Sequence, residues 1–247
     1  MKILGIIPAR YASTRFPGKP LTIINGKPMI QRVYEQSMKS ELLTDVVVAT
    51  DDQRIFDAVT AFGGKVMMTS SEHNSGTDRC CEIVEKIGND YDAVVNIQGD
   101  EPFINPEQIN QIAKLISSDE SQIASLCKPI KDEDELFDEN VVKVVFDTKG
   151  KALYFSRQTI PFLRKVEKKE QAWMQSRTFY KHIGIYAYKV EVLKEIAHTT
   201  PSTPCFRSSS ASSIPKVLFL TSTAAEMPLA IGSTALSAFA IGTAKSS

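Results

Sequence analysis

Short apolar runs alternate with segments of helical period through the first half of the chain, and that alternation leaves few folds open. Ile3 to Ile7 is an almost unbroken apolar run, the pattern of a strand buried on both faces. Met29, Ile30, Val33, Tyr34 and Met38 then recur at the spacing of one helix face. Val46 to Ala49 reads as a second strand, followed by a helix from Asp52 to Phe62 that stops at Gly63-Gly64. Lys65 to Met68 is a third strand, Thr77 to Ile87 a helix ended by Gly88-Asn89, and Ala93 to Ile97 a further strand. Asn105-Pro106 supplies an N-cap and a proline at the first helical position, ahead of Ile109, Ile112, Ala113 and Ile116 on one face. Strands alternating with helices make βαβ units, so the class is α/β, with a mostly parallel twisted sheet and flanking helices. Ligands of such sheets bind beyond the carboxyl ends of the strands.

The second half is less regular. Val141 to Phe146, Ala152 to Phe155 and His182 to Tyr188 read as strands of a smaller β-rich layer. Asp132 to Glu139 holds six acids in eight residues and reads as a solvated helix or loop, as does the cluster at Lys165 to Lys169. From Pro201 to Ser247 the composition changes: 24 of 47 residues are Ser, Thr or Ala, Glu226 is the one acid, and no Asp follows Asp147. The expected organisation is an α/β part over 1–130, a second part over 131–200 and an atypical tail over 201–247.

Acids and bases balance at 29 each among 247 residues, without the basic excess that a nucleic-acid binder needs to neutralise phosphates. No apolar run is long enough to span a bilayer, so no membrane partner is expected. Cys80, Cys81, Cys127 and Cys205 lack metal-ligand spacing, and two of them are adjacent, which is poor geometry for a mutual disulfide. A reducing cytoplasm is the expected location.

Chemistry concentrates after the first strand. Pro8-Ala9-Arg10-Tyr11-Ala12-Ser13-Thr14-Arg15-Phe16-Pro17-Gly18-Lys19 places Arg10, Arg15 and Lys19 in one loop at a strand's carboxyl end. Such a loop can hold a polyphosphate through charge-assisted hydrogen bonds, or it can be a solvated basic turn. It is neither a Walker A loop nor a GxGxxG fingerprint. After the valine-rich strand comes Asn96-Ile97-Gln98-Gly99-Asp100-Glu101-Pro102, where Asp100 can ligate Mg²⁺ or cap the turn. In His73-Asn74-Ser75-Gly76-Thr77-Asp78-Arg79, Ser75 or Thr77 can cap the next helix, which leaves Arg79 unexplained. His182, in an apolar strand pattern, fits a satisfied core histidine as well as a functional one.

Taken together and in order, these motifs, with Tyr154-Phe155-Ser156-Arg157 and Lys181-His182-Ile183-Gly184-Ile185-Tyr186, resemble the 3-deoxy-manno-octulosonate (Kdo) cytidylyltransferases from Met1 to about Ile196. The resemblance implies a Rossmann-like nucleotidyltransferase fold and a reaction that joins CTP and Kdo into CMP-Kdo and pyrophosphate, with Mg²⁺ as cofactor, for lipopolysaccharide biosynthesis. It implies that Arg10, Ser13, Arg15 and Lys19 meet the triphosphate, that Arg79 helps bind the nucleotide, and that Asp100 holds the metal. Lys19 and Asp100 would be the catalytic residues, and Gln98, Arg157, His182 and Tyr186 would face the sugar. It further implies that residues 1–130 form the nucleotide-binding part, that 131–200 form the sugar-binding and dimerisation part, and that the protein is a homodimer. The tail departs from the family: the Glu-Gln-Leu-Arg-Trp helix and the Ile-Asp-Thr-Pro motif with its second metal carboxylate are absent, a change of letters of the kind a shifted reading frame produces. That leaves two alternatives beside the family reaction: a CTP-binding protein without catalysis, and a cytidylyltransferase for a related acidic sugar.

Overall fold

A computed structural model describes residues 1–12, 16–88, 90–164 and 172–198, together with the strand at 217–221. The chain divides into two compact units, Met1–Ser118 with Ile185–Thr199, and Asp119–Gly184 with Thr200–Ser247.

The first unit carries β1 (Ile3–Ala9), the short pair β2 (Ile23–Ile24) and β3 (Lys27–Pro28), α1 (Met29–Ser37), β4 (Asp45–Thr50), α2 (Gln53–Ala61), β5 (Val66–Met68), α3 (Gly76–Ile87), β6 (Ala93–Asn96) and α4 (Pro106–Ile116). Strands β6, β1, β4 and β5 lie side by side in that order and all run parallel. Their side chains are buried on both faces (Ile6, Ile7, Val48, Val94 and Val95 are all fully enclosed), which is why these segments read as continuous apolar runs. The helices bury Ile30, Val33, Ile55, Val59, Ile83, Ile109 and Ile112. Each such side chain contributes about 1.5–3 kcal/mol on leaving water.

Helix starts follow local chemistry. Asp52 accepts from the Arg54 amide and Asn105 from the Glu107 amide, with Pro106 in the first turn. Ser75 and Asp78 form a reciprocal capping box, in which the Asp78 amide donates to Ser75 Oγ and the Ser75 amide to the Asp78 carboxylate. Thr77, the other candidate, is not the cap.

In the second unit, β7 (Ile123–Pro129) precedes α5 (Glu133–Phe137), the antiparallel pair β8 (Lys143–Phe146) and β9 (Ala152–Ser156), and α6 (Ala172–Ser176). Then comes β10 (Tyr180–Lys189), whose first residues pair with β8 while its last, from Tyr186, pair antiparallel with β6 of the first unit's own sheet. Helix α7 (Val190–His198) packs on α3. Strand β11 (Val217–Thr221) runs parallel to β7, the one described element in the tail. Trp173, Phe179, Ile130 and Leu136 form the apolar centre of this unit. The acidic run is not wholly solvated: Asp132 caps α5, Glu133 accepts the Trp173 amide, Glu135 pairs with Lys181, and Leu136 is enclosed.

Two features of this framework generate tests. A Cβ on Gly99 would stand 2.7 Å from the Pro8 carbonyl, closer than such atoms approach. Gly99→Ala is expected to destabilise the protein by about 1–3 kcal/mol, measured by denaturant unfolding, because backbone and not a flexible side chain must yield. His182 in β10 is held by burial at a pKa of about 4, against about 6.5 in an unfolded chain. Its folded pKa is depressed, so the stability it confers when neutral is complete above about pH 6.5 and is lost as pH falls toward 4. The unfolding free energy of His182→Gln is expected to decline less than that of the parent over this window; identical pH profiles would show that His182 titrates alike in both states.

Candidate active site

The parallel strands of the first unit deliver their loops to one sheet edge, and the close approach of Gly99 to Pro8 brings the ends of β1 and β6 together. The Ile97 amide donates to the Ile6 carbonyl at 2.8 Å, which extends the pairing into the Asn96–Glu101 turn. Lys19 begins a single 3₁₀ turn, Lys19–Leu21, after Gly18. Its Nζ lies 2.6 Å from Asp100 Oδ2, joining the loop after β1 to the turn after β6 across 81 residues of sequence. Both groups are substantially exposed, so the pair faces solvent at the edge where ligands of this fold class bind.

The base of the loop is pinned. The Gly18 amide donates to the Tyr11 carbonyl at 2.9 Å, and Gly18 takes a φ of +72°, which favours glycine. A Cβ there would meet the Tyr11 ring at 3.0 Å. On the same ring lies the Arg54 guanidinium, 3.3 Å from the centroid and held by the Asp52 carboxylate. Arg10 is exposed beside this clamp. Ser13 and Arg15 lie outside the described residues.

Gln98 sits in the same turn as Asp100, where the Glu101 amide donates to the Gln98 carbonyl at 3.3 Å. Glu101 is half-buried, and burial first, then the charge of Asp100, raises its pKa. Among the described residues no group of three or more His, Cys, Asp or Glu could hold a metal ion. One accessible hard carboxylate, already paired with a cation in Lys19, nonetheless fits Mg²⁺, which takes one or two protein carboxylates and completes its shell with water and phosphate.

Arg79 is not part of the exposed basic loop. It is 3% exposed, its Nη2 donates to Asp51 Oδ2 at 2.9 Å, and its Nη1 donates to Thr69 Oγ1 and to the Ser70 carbonyl at 3.2 Å. It braces the ends of β4 and β5 against α3. Nearby, Glu82 accepts from the Ser70 amide and meets His73 and Lys86; these bonds outweigh its burial and lower its pKa to about 2.

Of the residues expected at the sugar, Tyr186 stands opposite Asn96 in the β10–β6 pairing of the first unit, two residues before Gln98. Burial pushes its hydroxyl up to about 12, so it is a neutral donor at ordinary pH. Arg157 and His182 belong to the second unit. Arg157 follows β9, is exposed, and donates from Nη1 to the Glu139 carbonyl at 3.1 Å. His182 Nε2 lies 2.7 Å from Ser125 Oγ, and its ring meets Phe155 edge to face at 5.2 Å. The histidine is packed, neutral and hydrogen-bonded, as the core reading of the sequence expects.

Asp51, Arg54, Ser125 and Glu101 were not foreseen as supports of these residues. Each of the first three acts on a partner 28 to 57 residues away in sequence or through a ring contact, for which no local spacing is a signal.

The sequence matches the cytidylyltransferase family over residues 4–226. It is 58% identical to the 3-deoxy-manno-octulosonate cytidylyltransferase of Parabacteroides distasonis, with 82% of this chain and 80% of that protein aligned. The protein of the same name from Cytophaga hutchinsonii is 52% identical, with 82% of this chain and 80% of that one aligned. The structure of CMP:2-keto-3-deoxy-manno-octonic acid synthetase complexed with CTP superposes with a TM-score of 0.75 at 42% identity, covering 83% of this chain and 80% of that one. At 11% identity, a 4-diphosphocytidyl-2C-methyl-D-erythritol synthase from Anaerococcus prevotii shares the fold alone, with a TM-score of 0.55 over 89% of this chain and 87% of that one. By sequence over four fifths of its length and by the layout of its strands, the chain belongs to the 3-deoxy-manno-octulosonate cytidylyltransferase family.

Proposed function

We propose that the chain transfers CMP from CTP to the acidic sugar Kdo and releases pyrophosphate. The Lys19–Asp100 pair at the carboxyl ends of β1 and β6 carries this reading, because it puts a cation and a hard carboxylate side by side at the ligand edge. In the reaction the anomeric hydroxyl of the sugar attacks the α-phosphorus of CTP. A sugar O–P bond forms while the bond to the bridging oxygen breaks, pyrophosphate leaves with the electron pair, and the hydroxyl proton passes to solvent. Positioning and charge neutralisation dominate such a transfer.

Arg10 and Lys19, with Ser13 and Arg15 in the same loop, bind the triphosphate, and the Tyr11–Gly18 closure holds the base of that loop in shape. Arg79 contributes to nucleotide binding by bracing the strand ends beneath it. Asp100 is the residue that would hold Mg²⁺, and the ion, when bound, offsets phosphate charge. Gln98 and Tyr186 hydrogen-bond sugar hydroxyls. Arg157 pairs with the sugar carboxylate, and the neutral His182 ring hydrogen-bonds without adding charge.

A homodimer is part of the same proposal. Leu153 and Tyr154 on β9 and Phe162 beyond it are more than half exposed, an apolar edge that suits a second copy of this chain. A cytoplasmic location fits the free, buried thiols of Cys80, Cys81 and Cys127, and the product would serve lipopolysaccharide biosynthesis.

Incubation with CTP, Kdo and Mg²⁺ is expected to release pyrophosphate; CTP binding without release identifies a non-catalytic nucleotide binder instead. Lys19→Ala is expected to weaken CTP binding by roughly tenfold to a hundredfold with the fold intact, the worth of one charge-assisted hydrogen bond. Asp100→Asn is expected to lower turnover by roughly two to four orders of magnitude, read against unchanged thermal unfolding. In sedimentation at micromolar concentration the chain is expected to run as a dimer, and a monomer there rejects the β9 edge as an interface.

A further inference from the structure

Lys143, the first residue of β8, is completely enclosed, with 0% of its surface exposed. Its Nζ donates to three main-chain carbonyls: Asp138 at 2.6 Å, Val141 at 2.9 Å and Arg157 at 2.9 Å. An ammonium has three donors and no acceptor, so these carbonyls use its full capacity. An apolar side chain could fill this position without the cost of burying a charge. What the ammonium adds is a tie between two separate stretches of chain, the turn at 138–141 before β8 and the exit of β9.

Both residues assigned to the sugar on this unit are bonded to Lys143 or to its neighbour in the chain. Arg157 contributes the third carbonyl, and its own guanidinium returns to the Glu139 carbonyl within the same turn. The His182 amide donates to the Val142 carbonyl at 2.9 Å, the residue next to Lys143. Ser156, immediately before Arg157, and Lys181, immediately before His182, are the cross-strand neighbours of Lys143. Burial pushes the pKa of this ammonium down; the Asp138 charge opposes that shift and the Arg157 charge adds to it.

We infer that Lys143 is a positioning residue for the acidic sugar: its ammonium gathers the main chain from which Arg157 and His182 present their side chains. The inference rests on the assignment of those two residues to the sugar. Fully enclosed, Lys143 can touch neither substrate and acts only through the main chain of those two residues, so the loss expected falls on the sugar.

The test compares Lys143→Met, Lys143→Arg and Arg157→Ala in the full chain, with pyrophosphate release measured against CTP and against Kdo. Both Lys143 variants are expected to raise the KM for Kdo roughly tenfold to a hundredfold, the scale of a misplaced binding group, with the KM for CTP nearly unchanged. Arginine keeps the charge but cannot aim three donors at these carbonyls, so Lys143→Arg gives the same selective loss if Lys143→Met does not fold. Equal losses for CTP and Kdo, or failure of both variants to fold, would mark Lys143 as a residue of the fold alone and overturn the inference. A raised KM for Kdo in Arg157→Ala beside an unchanged one in the Lys143 variants overturns it while leaving the sugar assignment standing. An unchanged KM for Kdo in Arg157→Ala removes that assignment, and the inference with it.

Discussion

Everything at the candidate site depends on how closely two parallel strands end. Only a glycine at 99 lets the turn after β6 lie against the Pro8 carbonyl, and that approach sets Asp100 within 2.6 Å of Lys19. Parallel pairing sends both loops to the same edge, so cation and carboxylate meet although 81 residues separate them. Neither charge is placed by its own loop alone. The sheet register places the loops, and the loops then place the charges.

Around this pair the first unit separates charges that stay from charges that can move. Arg79 is enclosed with Asp51 as its partner, and breaking such a pair would strand a charge in a poorly solvated setting. Glu82 is likewise committed to His73, Lys86 and the Ser70 amide. Lys19 and Asp100, by contrast, are exposed, and an exposed pair exchanges partners at small cost. A fixed frame with an exchangeable pair at its edge suits a reaction that proceeds mainly by placement and neutralisation.

The second unit reaches the same end with carbonyls and one serine hydroxyl. Trp173, Phe179, Ile130 and Leu136 give it an apolar centre of its own, and the polar supports lie at the strand ends. Lys143 is satisfied by three main-chain oxygens, His182 by Ser125, and Arg157 by Glu139. In each case a residue of functional type is oriented by a bond to a different element, so the side chain arrives with its rotamer already restricted.

Period and composition were enough for the parallel strands of the first unit and the helices between them. The runs at Ile3–Ile7, Val46–Ala49 and Ala93–Ile97 and the cap at Asn105 carry local signals, and those elements stand where the signals put them; of Ser75 and Thr77, the structure chose Ser75. Strands β7 and β11 had no such reading, because short apolar segments that pair within a mixed sheet lack a period that tells strand from helix, and helix α7 follows β10 directly with no cap or breaker to mark its start. The family was legible because its motifs are contiguous, and for the same reason the sequence could single out Lys19 and Asp100, though not that they pair. Whether Arg79 faces a ligand or the interior, which serine holds His182, and why a lysine stands at 143 were decided by tertiary structure. Those contacts join residues tens of positions apart, and hydrogen-bond partners at that range are set by strand register and burial, which no linear spacing encodes.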